Sequence, residues 1–205
     1  MRYLILDSAS EACTAAVMDD GVLVDYRHEV IGRGHAERLV PLIAELVDGG
    51  RADEIWVGCG PGSFAGVRIG VAAARGLALG WGVTVRGFST LDLVAASAAA
   101  EIAAAGGGLV VMEGGHGQWF VRPYGPDLLP LAEMQSLPPE EAVALPADLI
   151  LGNRALHYVE RKGAGRALSI LPDARMACHV PQSLIFDDPS PIYGRAPDAK
   201  PMARA

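Results

Sequence analysis

The chain has 205 residues, of which 51% are hydrophobic and 20% are charged, and its formal net charge is −7. This composition is typical of a folded protein and excludes a largely disordered chain. The length allows one sizeable core or two small lobes. Because contacts to phosphate groups need a basic surface, the negative charge argues against nucleic-acid binding by this chain alone.

The first fifty residues predict three strands followed by a helix. Apolar strand segments occur at residues 3–8, 13–18 and 22–29. Asp19-Asp20-Gly21 predicts a hairpin turn between the second and third strands. Residues 34–48 predict a helix because apolar side chains recur along one face, at Leu39, Val40, Ile43, Leu46 and Val47.

The next segment predicts a short strand, a glycine-rich turn and a helix. Strand 54–59 runs into Gly60-Pro61-Gly62, and Ser63 is placed to cap helix 63–80 by accepting a hydrogen bond from an early N–H group. Such a turn can hold phosphate, but the lysine of a Walker loop is missing, and Ala65 stands where the dinucleotide motif needs its third glycine. A tight turn that feeds a packed helix is therefore at least as well supported as a phosphate site.

Strand 83–88 and helix 90–105 complete the first half of the chain. Three antiparallel strands followed by alternating helices and strands is the order of an actin-like (ribonuclease H-like) lobe. Gly106-Gly107-Gly108 predicts a boundary, because glycine disfavours a continuing helix. Beyond it we expect strands at 109–112, 118–124 and 148–151 and a short helix at 139–145. The predicted units are a first lobe, a smaller second lobe and an extended tail, at residues 1–105, 109–186 and 187–205.

Four segments of the first half resemble the signatures of one family. They read L-I-L-D-S-A-S-E-A-C-T (4–14), H-A-E-R-L-V-P-L-I (35–43), G-P-G-S-F-A-G-V-R-I-G (60–70) and G-F-S-T-L (87–91). In this order they resemble the bacterial TsaB (YeaZ) family, in which threonine usually stands at the position of Ala65. Near the end, P-I-Y-G-R (191–195) is similar to the closing motif of the family.

The resemblance implies an α/β fold of the actin-like (ASKHA) class, with two lobes of which the second is abbreviated. It also implies a non-catalytic scaffold or dimerisation subunit in the synthesis of N6-threonylcarbamoyladenosine at position 37 of tRNA (t6A37). The implied partners are a TsaD-like transferase subunit, in a heterodimer, and a TsaE-like P-loop ATPase. A homodimer is the alternative state of the isolated chain. Neither a cofactor nor direct tRNA binding is implied.

The sequence also predicts in which compartment of the cell the protein is found. Asp7 follows Met1 too closely for a secretory signal, and charged side chains interrupt the alanine-rich segments, at Arg68, Arg75, Asp92 and Glu101. We therefore expect a cytoplasmic protein without a membrane span.

Asp7 and Glu113 are the candidates for a nucleotide site. Actin-like nucleotide-binding proteins place a carboxylate at the end of the first strand of each lobe, and these two residues occupy the matching positions. The alternative function is thus an ATP-dependent phosphotransferase of the actin-like class that uses Asp7 and Glu113 around a metal. Two points weaken it: E-G-G-H-G (113–117) departs from the usual D-A-[RK] of the family, and Asp7 is well placed to bind the N–H groups of its own turn.

No complete catalytic or metal-binding set is predicted. The histidines lack H-E-x-x-H spacing, and His35, in the first turn of a helix, is expected at the surface. Cys13, Cys59 and Cys178 contain no C-x-x-C pair and are expected to be buried free thiols.

Small residues recur every four positions along helix 63–80, at Gly66, Gly70 and Ala74. Such a stripe allows the close approach of another backbone, either the sheet of the same lobe or a helix of a partner. The family resemblance favours the partner. We therefore predict a self-complementary interface formed by Gly66, Gly70 and Ala74 with Leu39 and Ile43 of helix 34–48.

Overall fold

The apolar strands of the first half form one five-stranded sheet. The computed structural model describes residues 1–194, and the first lobe contains β1 to β5, at Arg2–Asp7, Ala12–Asp19, Val22–Val30, Glu54–Gly58 and Thr84–Phe88. The strand order is β3-β2-β1-β4-β5. β1 is antiparallel to β2 and parallel to β4. The buried strands β1 and β4 therefore lie at the centre, which is where continuous apolar runs are expected.

Two helices cover one face of this sheet. α1 spans His35–Ala44 and α2 spans Phe64–Trp81. α1 ends four residues earlier than predicted, because Leu46 is extended and a short 3-10 turn, Val47–Gly50, follows. α2 agrees with the prediction, including its cap: the Ser63 hydroxyl accepts a hydrogen bond from the N–H of Gly66 at 3.3 Å.

The predicted helix 90–105 is divided into two helices. α3 spans Thr90–Ala96 and α4 spans Ala99–Ala105, with Ala98 outside helical backbone angles between them. The Ser97 hydroxyl donates a hydrogen bond to the carbonyl of Leu93, which places a polar group against the last turn of α3. α4 packs on the second sheet, whereas α3 lies between the two sheets and contributes apolar side chains to both.

The second lobe repeats the topology of the first with shorter elements. It contains β6 (Gly108–Gly115), β7, β8, β9 and β10, the last four at Gln118–Tyr124, Gln135–Leu137, Leu149–Leu151 and Arg166–Leu168. Its helices are α5 and α6, at Pro139–Ala142 and Ala155–Lys162. The order β8-β7-β6-β9-β10 repeats that of the first sheet strand for strand. Three of the five strands have only three residues, so the abbreviation lies in element length and not in strand number.

The chain returns to the first lobe before its end. Ala174, Ala177 and Ile185, from the predicted second lobe, pack with Ile5 and other residues of the first sheet. Phe186 pairs with Gly87 in an antiparallel bridge, and the N–H of Ile192 donates to the carbonyl of Cys59 at 2.7 Å.

The described part of the predicted extended tail, residues 187–194, is therefore bound along the first lobe, and Gly194 at its end lies against Phe120 of the second lobe. The predicted tail residues 195–205 lie outside the described part of the chain.

Within residues 1–194, none of the helices combines the length and the apolar character that crossing a bilayer requires.

Candidate functional site

Asp7, the first nucleotide candidate, is enclosed within the first lobe. Its two carboxylate oxygens accept hydrogen bonds from the N–H of Ala9 (2.8 Å) and the hydroxyl of Thr90 (2.7 Å). A Cβ placed on Gly58 would lie 1.8 Å from one of these oxygens, so glycine is required there. Desolvation by burial raises the pKa of Asp7 to about 6, although both hydrogen bonds oppose the shift. The predicted bond from Asp7 to its own turn is confirmed.

Glu113, the second candidate, is held by its own lobe. It forms an ion pair with Arg154, and one carboxylate oxygen accepts the N–H of Gly115 at 3.0 Å. The side-chain oxygen of Asn153 accepts the N–H of Glu113 at 2.9 Å. This carboxylate is therefore compensated before any ligand arrives.

A cavity of about 860 Å³ lies between the lobes. Glu11 of the first lobe and Glu113 of the second line it, and Asn153 connects the lobes by donating its amide N–H to Glu11 at 2.8 Å. Asp7 does not line this cavity. Asp7 and Glu113 therefore do not line a common cavity, and the phosphotransferase alternative gains no support from their placement.

The remaining candidates for chemistry are metal-binding clusters, the cysteines and His35. Among residues 1–194, no three His, Cys, Asp or Glu side chains cluster in a way that would hold a metal ion. Burial raises the pKa of Cys59 to about 12 and that of Cys13 to about 11, which keeps both as neutral thiols. Cys178 is exposed, contrary to the prediction. His35 is buried, also contrary to the prediction, and its Nε2 lies 3.3 Å from the carbonyl oxygen of Ala12.

The small-residue stripe on α2 faces the loop after β1 and not the solvent. A Cβ on Gly66 would lie 2.1 Å from the carbonyl oxygen of Ser8, and one on Gly70 would lie 2.7 Å from its hydroxyl oxygen. The Ser8 hydroxyl donates to the carbonyl of Gly66 at 2.9 Å. These glycines let α2 approach the lobe's own loop closely. The prediction that Gly66 and Gly70 face a partner is therefore wrong.

The other three predicted interface residues are also internal. Leu39, Ile43 and Ala74 are buried in the core between the helices and the first sheet. The five predicted residues are thus brought together by the fold, but as the inner surfaces of α1 and α2. Their apolar or small character is explained by packing within one lobe.

The opposite faces of the same helices are exposed and largely apolar. On this side of α1 the exposed apolar residues are Ala36, Val40, Pro41 and Ala44, and on α2, apart from Phe64 at its start, they are Ala65, Ala72, Gly76, Leu79 and Gly80. We call these nine residues the outer helix face. Val40 is 50% exposed and Leu79 is 88% exposed. A Cβ added at Gly76 or Gly80 would meet no atom within 4 Å.

Sequence reasoning did not single out the outer helix face, Asn153 or Arg68. The period of α2 was visible, but period alone does not tell which of two small-residue stripes faces the sheet. Asn153 carries no motif, and only the packing of the lobes brings it to Glu11.

The repeated strand order and the cleft between the lobes define an actin-like protein. The family model described as TsaD, tRNA N6-adenosine threonylcarbamoyltransferase, matches residues 28–173. YeaZ from Pseudomonas aeruginosa has the same fold with a TM-score of 0.78 and 27% identity, covering 94% of this chain and 99% of that chain.

Two proteins with similar sequences indicate which family within the actin-like class the chain belongs to. The tRNA threonylcarbamoyladenosine biosynthesis protein TsaB of Escherichia coli K12 is 41% identical over 103 residues, which are 48% of this chain and 44% of that protein. An uncharacterized Mycobacterium tuberculosis H37Rv protein is 29% identical over 222 aligned positions, covering 98% of this chain and 94% of that protein. The match to the Escherichia coli protein thus spans less than half of its length. The chain belongs to the TsaB (YeaZ) family.

Proposed function

We propose that this chain is a non-catalytic subunit of the machinery that makes t6A37 in tRNA. In this proposal it forms a heterodimer with a TsaD-like transferase subunit, and a TsaE-like P-loop ATPase acts on the pair. The support is the name of the Escherichia coli relative together with the TsaD-type family match. A role in tRNA modification fits a cytoplasmic location of the chain.

The observation that carries the partnership is the outer helix face. α1 and α2 pack against each other, and each helix presents exposed apolar residues. A glycine inside a helix costs about 1 kcal/mol relative to alanine. Gly66 and Gly70 offset this cost through contact with Ser8, but nothing within 4 Å of Gly76 or Gly80 does so. Small residues on an exposed apolar face suit the close approach of another helix pair.

Two features support a non-catalytic role. Asp7 is closed off from the cleft, and Glu113 is compensated by Arg154. Neither carboxylate is placed to bind a metal–phosphate complex. The net charge of −7 disfavours tRNA binding by the chain alone, so contact with tRNA is assigned to the partner.

The test is association with purified TsaD after substitution on the outer helix face. We expect Leu79→Glu and Val40→Glu each to weaken association at least tenfold, because each places a charge at the centre of an apolar contact. Leu156→Glu is the matched control, since Leu156 is 53% exposed on α6 of the other lobe. Sedimentation velocity with each variant measures the dissociation constant. Equal binding by Leu79→Glu and the unmodified chain would show that the partner binds elsewhere.

A further inference from the structure

The interlobe cavity has an aromatic end that the proposed function does not use. Phe64 is 54% exposed and Tyr193 is 45% exposed, and their ring centroids are 4.7 Å apart beside the cavity. The Arg68 guanidinium lies 3.6 Å from the Phe64 ring centroid, and its Nε donates to the Tyr193 hydroxyl at 3.1 Å. We call Phe64, Arg68 and Tyr193 the clamp.

The clamp is preorganised, and within the described residues no carboxylate compensates its charge. Stacking on Phe64 and the bond to Tyr193 hold the guanidinium flat, which leaves its terminal N–H groups available for an anion. Within residues 1–194 no carboxylate pairs with Arg68, whereas Arg75 two turns later pairs with Asp188 at 3.5 Å. Half-exposed rings beside a cavity can cover the face of a planar ligand.

The cavity is also lined by groups of the opposite charge. Glu11 and Glu113 line it, and Asn153 lies with them. The carboxylates repel a polyphosphate and accept hydrogen bonds from N–H donors, and Glu113 does so alongside its ion pair with Arg154. Met112 and Phe120 supply apolar wall. The volume lies within the range of pockets that bury small organic ligands.

We propose that this cavity binds a small planar aromatic ligand that carries a single anionic group. The ring lies against Phe64 and Tyr193, the anion pairs with Arg68, and any N–H donor of the ring system points to Glu11 and Glu113. This binding does not depend on a TsaD-like partner. A nucleoside monophosphate and an aromatic carboxylate share this chemistry, and the experiment distinguishes them.

The experiment is isothermal titration calorimetry on the purified full chain. The anionic probes are adenosine monophosphate and indole-3-acetate, and their neutral counterparts are adenosine and 3-methylindole. We expect saturable binding of at least one anionic probe, at least tenfold tighter than its neutral counterpart, and weaker binding of ATP with magnesium. Which anionic probe binds tells the nucleotide source from the carboxylate source.

Three variants assign the contacts. Arg68→Gln should weaken the anionic probe about tenfold and the neutral one much less, since it removes the charge that pairs with the anion. Phe64→Leu should weaken both, because it removes the ring and keeps apolar volume. Arg75→Gln is the matched control, on the same helix with the same change of charge, and should alter neither. Because Phe64 and Arg68 are exposed, unchanged thermal unfolding is expected for their variants.

Other outcomes overturn the proposal. It fails if neither anionic probe saturates by about 5 mM, an affinity too weak to be specific. It also fails if the neutral and anionic probes bind equally, if ATP binds most tightly, or if Arg75→Gln acts like Arg68→Gln.

Discussion

The inner and outer faces of α2 carry similar small residues in opposite surroundings. Gly66 and Gly70 lie against the Ser8 loop so closely that a Cβ would overlap its atoms, whereas Gly76 and Gly80 have open space around them. The inner glycines are required by the fold of one lobe. The outer glycines cost helix stability without any such return within the lobe. The comparison shows that residue size and period identify a close approach but do not identify what approaches.

The largest expected effect is at the inner face. Gly66→Leu should lower the free energy of unfolding by about 4 kcal/mol, because the side chain would collide with the backbone of the Ser8 loop, which cannot move without disrupting the sheet. Urea denaturation followed by circular dichroism measures this loss. Gly76→Leu is the control and should not lower stability, because the site is open and leucine is a better helix former than glycine. If both variants unfold equally, the two faces do not differ as described.

The second prediction concerns Asp7, which precedes the loop under the inner face. Its pKa is raised from 3.8 to about 6 by burial, so the folded state holds the proton that the unfolded chain has released. The contribution of Asp7 to stability is then fully present below about pH 4, and about 3 kcal/mol is lost as the pH rises to about 6.

Asp7→Asn should remove this slope, since the amide does not titrate. The measurement is urea denaturation of both proteins at intervals between pH 4 and pH 7. The difference between the two curves isolates Asp7 from carboxyls such as Asp173, whose pKa is lowered. Parallel curves would mean that Asp7 is as solvated in the folded chain as in the unfolded one.

The smallest expected change in stability comes from adding one methyl group to an outer or to an inner glycine of α2, and the two positions should differ in sign. Gly76→Ala should raise the free energy of unfolding by about 1 kcal/mol through helix propensity alone. Gly70→Ala should lower it, because the new methyl group lies 2.7 Å from the Ser8 hydroxyl oxygen. Thermal unfolding of the two variants side by side gives the two signs. Two stabilising substitutions would show that the Ser8 hydroxyl can move away without cost.

Much of the first lobe could be predicted from local sequence. The strands predicted at 3–8 and 13–18, the cap at Ser63 and the length of α2 are each encoded by neighbouring residues, through apolar runs, a capping hydroxyl and a periodic face. The break in helix 90–105 was not predicted, because alanine-rich sequence favours helix on both sides of Ala98. The short strands β8 and β10 were missed because three residues carry too little pattern.

Burial of single residues was predicted less well than element type. His35 was expected at the surface, but it packs against the carbonyl of Ala12, a contact that depends on how α1 meets β2. The segment 174–186 was assigned to the second lobe by its position in the chain. It lies on the first sheet because the apolar Ala174 and Ile185 pack with Ile5 on the face that α3 also covers.

The sequence by itself determined the family, the actin-like class and the position of nearly every long element, since these depend on motifs and periodicity along the chain. Only the tertiary structure decided which face of α2 is covered, that Asp7 is sealed from the cleft, and that Arg68, Phe64 and Tyr193 meet at one end of a cavity. The reason is physical. A local pattern records what a residue can pack against, whereas burial and charge compensation depend on groups that are distant in the chain and close only after folding.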